Sequence, residues 1–156
     1  MRRLHRFWSL PRREKRFFCE AGILLLFANL CVKALAFRHI DSLLRGRWND
    51  RPAVTGPDEA GDSRLINLSL ARAANLFPWE SLCLSRSVAA FIMLRRRGIP
   101  AILFAGVKVR KDTSLSAHAW VHTGREAIEG NSENSTFTIL INIGQEPLVV
   151  EGGNGA

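Results

Sequence analysis

A change of hydrophobic period at Pro100 constrains the fold of this 156-residue chain more than any other feature. Before it, the stretch CLSRSVAAFIMLRRRG predicts a helix that begins at Cys83 and is closed by Gly98 and Pro100. After it, the period falls to two, and we expect strands at 101–109, 117–123, 126–130 and 136–143, in an antiparallel meander. This order predicts an α+β fold in which the Cys83 helix lies on an antiparallel sheet.

The positive charge of the chain is concentrated at its N-terminus. The net charge is +8, and residues 1–16 carry seven basic residues and one acidic residue, a net +6. A nucleic-acid surface would spread basic residues along a face with aromatic residues between them, and the sequence has no such pattern. We therefore expect no nucleic-acid partner, and interpret the arm as solvated or as docking on an acidic partner or a membrane surface.

A run of twelve uncharged residues, 21–32, follows this arm. A spanning helix needs about twenty apolar residues, so we expect the run to be too short to cross a membrane. The small residues at 34–36 resemble a signal-peptide cleavage site, but the charges on both sides of the run oppose that interpretation. We expect one or two helices within 12–45, opened by Pro11, that pack on the rest of the protein or lie on a membrane surface.

Glycine and proline cluster in the segment 46–63 and divide the chain. We expect a basic arm and apolar helical appendage at 1–46, a linker or loop at 47–63, a core at 64–145 and a flexible tail at 146–156. Ser63 is predicted to cap a helix over 64–77, because its short side chain can accept a bond from a free backbone N–H.

The three cysteines, Cys19, Cys31 and Cys83, indicate a reducing compartment, since their number is odd and their spacing uneven. Cys19 and Cys31 lie in the apolar helical segment and are interpreted as core filler. Cys83 stands at a helix start, where unpaired N–H groups favour a thiolate, and Arg86 adds a positive charge one turn later. A nucleophilic cysteine requires these conditions. The alternative is that Cys83 is a small buried hydrophobe.

His118 is the candidate base, and it lies on the second predicted strand with its side chain on one face of the sheet. A tight turn after that strand predicts that Gly130 lies opposite His118 and that Glu126 lies opposite His122. A bulge at Glu129 would then turn its carboxylate towards the His118 ring.

Cys83, His118 and Glu129 would together give a nucleophile, a base and a group that orients the base. The alternative for His118 is a half-buried strand histidine. A metal site built on His118 and His122 is disfavoured, because their spacing on a strand separates the rings by about 13 Å. We expect no metal and no cofactor. Trp79 and Trp120 are interpreted as walls of the core or of a pocket.

Five short motifs occur in a specific order. They are Pro78-Trp79, Cys83-Leu84-Ser85-Arg86-Ser87, Leu94 to Ala101, Gly106-Val107 and His118-Ala119-Trp120-Val121. In this order and at these distances they resemble the transglutaminase-like cysteine protease of lasso-peptide biosynthesis, the protease half of the B protein. The basic arm and apolar segment are also similar to that family, so the likeness covers most of the chain to about residue 130.

The resemblance implies a papain-like unit and a leader peptidase that cuts a ribosomally made precursor before a lasso cyclase closes the core peptide. It implies that Cys83 is the nucleophile and His118 the general base. The family has an Asp after the histidine, and here Glu129 is the nearest acid, with Asn131 as an alternative orienting group.

The resemblance also implies partners and a location. No fused peptide-binding module is apparent, so we expect a separate leader-recognition protein, a cytoplasmic location and an optional membrane-surface contact through the N-terminal segment. Two alternatives remain open. One is acyl transfer to an amine at the same site, and the other is a non-catalytic membrane or scaffold adaptor in which Cys83 is core.

Overall fold

The computed structural model describes residues 11–34, 37–48, 59–76, 83–109, 114–123, 127–129 and 137–144. The described helices are α1 (Arg12–Ala34), α2 (Phe37–Trp48), α3 (Glu59–Ala74) and α4 (Cys83–Arg96). The described strands are β1 (Ile102–Val109), β2 (Leu115–His122), β3 (Ala127–Glu129) and β4 (Thr138–Ile143). The predicted N-terminal helices and the predicted helix from Cys83 are confirmed.

Helix α3 begins at Glu59, five residues before the predicted start, so the prediction that Ser63 caps it is wrong. Ser63 lies inside the helix and is buried. The carboxylates of Glu59 and Asp62 occupy the first turn, where they interact favourably with the helix dipole. These charges support a helix start within a segment whose glycine and proline content predicted a loop.

Helix α1 packs against both α3 and α4 and supplies one wall of the core. Its buried face is formed by Phe17, Ala21, Leu25 and Ala28, which recur at helical spacing. By length and composition this helix could also cross a membrane, which corrects the expectation that the apolar segment is too short. The helix is longer than the twelve-residue run because the turns on either side of the run continue it.

The sheet is antiparallel, with the strand order β3-β2-β1-β4. The predicted meander is therefore wrong for β4, which pairs with β1 instead of continuing beside β3. This placement flanks the buried strand β1 on both edges. It also brings Ile143 beside Leu103, where both side chains join the core under α4. The predicted α+β class, with the Cys83 helix on an antiparallel sheet, is confirmed.

Helix α4 is closed as its sequence predicts, by a glycine in the left-handed region. Gly98 has φ 76°, its N–H donates to the Arg95 carbonyl, and the N–H of Ile99 donates to the Leu94 carbonyl. These two bonds form a Schellman motif, in which glycine avoids the strain that a side chain would meet. The helix carrying Cys83 thus has a fixed C-terminal end.

Candidate active site

Cys83 is the first residue of α4, as predicted, and it is half-buried. The first turn of a helix has backbone N–H groups without intrahelical partners, and these groups and the helix dipole favour a negative charge beside them. Arg86 lies on the next turn and is also half-buried. Trp79 falls within 77–82, outside the described residues.

The other two cysteines differ from Cys83 in position and in exposure. Both lie within α1 and away from its N-terminal end: Cys19 lies two turns into the helix, and Cys31 lies in its last turn. Cys31 is half-buried, whereas Cys19 is exposed, so the interpretation of Cys19 as core filler is wrong. Cys19 is therefore an exposed thiol in the interior of a helix, whereas Cys83 is a half-buried thiol at the start of one.

Two fully buried serines follow Cys83 in α4, and both donate hydrogen bonds to neighbouring elements. Ser87 Oγ donates to the carbonyl oxygen of Ala119 at 2.9 Å. Ser85 Oγ donates to Oδ1 of Asn29 in α1, at the longer distance of 3.4 Å. Each bond satisfies a polar group that would be costly to bury alone. The first turns of α4 are thereby attached to β2 on one side and to α1 on another.

The Ser87 bond is the link between the two predicted catalytic elements. Ser87 lies one helical turn after Cys83 and on the same side of α4. Its acceptor belongs to Ala119, the residue that follows His118 in β2. The structure therefore brings the start of the cysteine helix to the part of the strand that carries the histidine. This role of Ser87 was not predicted from the sequence, although a serine within an apolar helix face was a signal for it.

His118 is half-buried in β2, and its ring packs against two aromatic rings. The ring centroids lie 6.0 Å from Trp120 and 5.5 Å from Phe137. Trp120 is itself buried and stacks on Phe104 of β1 at 5.6 Å, as expected for a tryptophan in a pocket or core wall. These contacts restrict the orientations available to the His118 imidazole.

Gly106 is the residue of β1 that pairs with His118. A Cβ atom at Gly106 would lie 2.8 Å from the Thr138 carbonyl oxygen and 3.2 Å from the Trp120 ring. The absence of a side chain at this position lets the aromatic rings close around the histidine. This gives a physical reason for the glycine in the Gly106-Val107 motif.

The two sheet faces have different partners. Leu103, Val121 and Ile143 are register partners and contribute to the core under α4. His118 and Trp120 alternate with Val121 and lie on the other face. Within the described part of the chain, no hydrogen bond joins the Cys83 thiol to the His118 ring. The Cys83 helix packs on the core face, so the described link between the two predicted catalytic elements is the Ser87 bond to the backbone of Ala119.

The predicted register of β3 is wrong. The sequence predicted Glu126 opposite His122, whereas the structure pairs Ala127 with His122 and Glu129 with Val121. The cause is a shift of register between Val121 and His122, where the ladder contains an irregularity. The backbone of Glu129 therefore pairs with Val121, which lies three residues after His118 in β2.

The third catalytic position stays a prediction. The backbone of Glu129 belongs to β3, but its side chain lies outside the described part of the structure, as do Gly130 and Asn131. Among the residues that are described, no three His, Cys, Asp or Glu side chains cluster closely enough to hold a metal ion.

The family of the chain follows from a comparison with protein-family models, in which the matched region includes the elements of Cys83 and His118. The model of the transglutaminase-like superfamily matches residues 24–142, from within α1 to the penultimate residue of β4. The chain belongs to the transglutaminase-like superfamily. Searches of the curated proteins and of the solved structures found no significant match.

Membership gives the fold of the predicted protease half and a coarse activity. Proteins of the transglutaminase-like superfamily are typically cysteine-protease-like enzymes, with hydrolase or acyltransferase chemistry. The match includes Cys83, His118 and Glu129, and it also includes nearly half of α1, residues 24–34. The C-terminal part of α1 therefore belongs to the matched region.

Proposed function

We propose that the chain is a cysteine peptidase that removes the leader from a ribosomally synthesised lasso-peptide precursor. One observation carries the proposal. In a chain of the transglutaminase-like superfamily, a half-buried cysteine begins the helix that Ser87 attaches to the strand of His118. Within that superfamily, the motif order described above supports leader removal as the specific activity.

The proposed reaction begins when the Cys83 thiolate attacks the carbonyl carbon at the end of the leader. A carbon–sulfur bond forms, and the carbonyl π electrons move onto the oxygen. The backbone N–H of Cys83 can donate to this oxyanion, because it belongs to the first turn of α4. The protonated His118 ring then donates its proton to the leaving amine as the peptide carbon–nitrogen bond breaks.

The second half of the reaction releases the leader. The neutral His118 ring accepts a proton from water, and the hydroxide oxygen attacks the thioester carbon. The carbon–sulfur bond breaks and regenerates the cysteine. Packing against Trp120 and Phe137 holds the imidazole in a limited range of orientations during both steps. Glu129, or Asn131 in its place, is proposed to orient the ring further.

We propose that the substrate is delivered by a separate leader-recognition protein and that a lasso cyclase uses the product. A small peptidase domain can gain affinity for a long leader from a partner protein that binds the leader and the peptidase at the same time. The reaction fits this order, because cleavage frees the N-terminal amine that the cyclase joins to an acidic side chain. We propose that the chain meets the recognition protein and the cyclase in the cytoplasm.

The experiment follows a precursor by mass, with the precursor and recognition protein taken from one lasso-peptide gene cluster. The full chain is expected to release the leader as a free acid when the recognition protein is present, and to be far slower without it. Cys83→Ala and His118→Ala should abolish release, whereas Cys19→Ala and Cys31→Ala should not. Complete cleavage without the partner contradicts the split system, and cleavage by Cys83→Ala contradicts the nucleophile.

Acyl transfer is the second candidate, because the superfamily comparison covers acyltransferase chemistry as well as hydrolysis. The thioester is common to both reactions, and an amine would replace water in the second step. Cleavage in the presence of a primary amine such as putrescine separates them. A leader of free-acid mass supports the peptidase, and an amide adduct as the main product supports transfer.

A further inference from the structure

One side of α1 is an exposed apolar stripe with positive ends. The apolar part consists of Ile23, Leu26, Phe27 and Leu30, which are 69%, 45%, 61% and 65% exposed. These positions recur at three- and four-residue intervals and so share one side of the helix. Arg12 and Arg16 precede them on the same side, and Lys33 follows them. We call these seven residues the α1 stripe.

The opposite side of α1 is fixed to the rest of the protein. Phe17, Ala21 and Leu25 are buried in the core. Asn29 is buried and accepts the hydrogen bond from Ser85. The helix cannot leave these contacts without disrupting the hydrophobic core. These contacts favour a helix that lies on a membrane over one that crosses it, although its length and composition would permit crossing.

The net charge around the α1 stripe is positive. Glu14 lies on the opposite side of α1 and forms an ion pair with Arg72. Glu20 borders the stripe, but it is neutralised by ion pairs with Arg96 and Arg97. The sequence that leads into the stripe is strongly basic, with a net charge of +6 over residues 1–16. An apolar centre between cationic ends complements an anionic lipid bilayer, which has an apolar interior and negatively charged headgroups at its boundary.

A second copy of the chain fits this surface less well. Both ends of the α1 stripe are positive, so stripes paired in parallel or antiparallel would place like charges together. An anionic bilayer has no such conflict. Arginine and lysine side chains can extend to the headgroups while their stems cover apolar surface.

We propose that the α1 stripe docks the protein on an anionic lipid bilayer, with α1 lying in the plane of the interface. Ile23, Leu26, Phe27 and Leu30 enter the boundary between headgroups and acyl chains, and the basic residues at both ends contact phosphate groups. The proposal is independent of the peptidase function, because it uses no residue of the candidate active site.

The test is co-sedimentation of the full chain with vesicles of phosphatidylcholine alone or mixed equally with phosphatidylglycerol. We expect binding to the anionic vesicles at low salt, and at least about tenfold weaker binding to the neutral vesicles and at high salt. The double variant Ile23→Gln, Phe27→Gln should lose about tenfold or more of the affinity for anionic vesicles. Both positions are exposed, so the thermal unfolding midpoint should stay near that of the wild type.

A matched control places the same change on two other helices. Leu43 and Leu68 are 66% and 43% exposed on α2 and α3. Leu43→Gln, Leu68→Gln should bind the anionic vesicles as the wild type does. Equal losses in the two double variants would overturn the proposal, as would an absence of vesicle binding by the wild type. A wild-type oligomer that dissociates in the stripe variant, without vesicle binding, would assign the stripe to a second copy instead.

Discussion

The two ends of α4 differ in the groups they contain and in what those groups contact. The C-terminal end is rich in charge, and each described arginine there has a structural contact. Arg95 is buried and donates to the Trp48 carbonyl at 2.7 Å, and burial lowers the pKa of its guanidinium. Arg96 and Arg97 form ion pairs with Glu20 of α1. Arg97 also lies over the Phe17 ring, 4.1 Å from its centroid.

The N-terminal end of α4 contains one charged residue, Arg86, among smaller side chains. Ser85 and Ser87 are bonded to α1 and β2, and Cys83 occupies the first position with its side chain half-buried. The charges and the glycine cap fix the C-terminal end of the helix, whereas the opposite end presents a thiol beside backbone N–H groups that have no intrahelical partner. Changes at the N-terminal end should therefore affect cleavage, whereas changes at the C-terminal end should affect only the stability of the protein.

The largest expected effect is at the reactive end. Cys83→Ala should lower precursor cleavage by at least about a thousandfold, since removal of a catalytic nucleophile eliminates the covalent route. The unfolding midpoint should change little, because the side chain is small and half-buried. Leader release measured by mass and unfolding measured by circular dichroism check the two halves of this prediction. An unfolded variant would assign Cys83 to the core.

The bond between α4 and β2 comes next. Ser87→Ala removes the donor to the Ala119 carbonyl in a buried position and should cost about 1–3 kcal/mol of unfolding free energy. Cleavage should also slow, since the bond positions the strand of His118 relative to the cysteine helix. Ser85→Ala is the matched control, because its bond is longer and leads to α1. Equal effects of the two variants on cleavage would show that Ser87 has no special role.

At the opposite end of α4, a change should affect stability alone. Gly98→Ala places a side chain at φ 76° and should cost about 1–2 kcal/mol of unfolding free energy. Gly22→Ala is the control, because Gly22 lies in α1 with nothing within 4 Å of an added Cβ, and alanine there should stabilise by up to about 1 kcal/mol. Cleavage rates of folded protein should be unchanged in both. A loss of cleavage in folded Gly98→Ala would break the contrast between the ends.

The smallest effect is expected at the ion pairs. Glu20→Gln weakens the contacts with Arg96 and Arg97, and partly exposed pairs contribute at most about 1 kcal/mol. The loss should shrink at high salt, where the pairs are screened. Urea unfolding at low and high salt measures this dependence. A loss that is equal at both salt concentrations would show that Glu20 acts through packing.

The helix at Cys83 was predictable because local signals agreed at both ends. A proline break precedes it, its apolar period is 3.6 residues, and Gly98 and Pro100 close it. The sheet class was predictable from the change to a period of two. The start of α3 was missed because glycine and proline content favoured a loop, whereas Glu59 and Asp62 support a helix there.

The remaining features depend on contacts between distant residues. Neither the pairing of β4 with β1 nor the register shift opposite His122 follows from a local pattern, because a strand segment does not specify its neighbour. The buried bond from Ser85 to Asn29 joins residues 56 positions apart. Of the candidate site, the sequence predicted Cys83 at a helix start and His118 on a strand, but not the Ser87 bond that relates them.

The most direct test of the account compares the alkylation rates of the three cysteines in the native protein. Iodoacetamide labelling near neutral pH is followed with time and assigned by peptide mass. Cys19 is the exposed thiol, whereas Cys31 and Cys83 are half-buried. If Cys83 is the activated nucleophile, it should react at least about ten times faster than Cys19 despite its lower exposure. Labelling that follows exposure, with Cys19 first and Cys83 no faster than Cys31, would contradict the account.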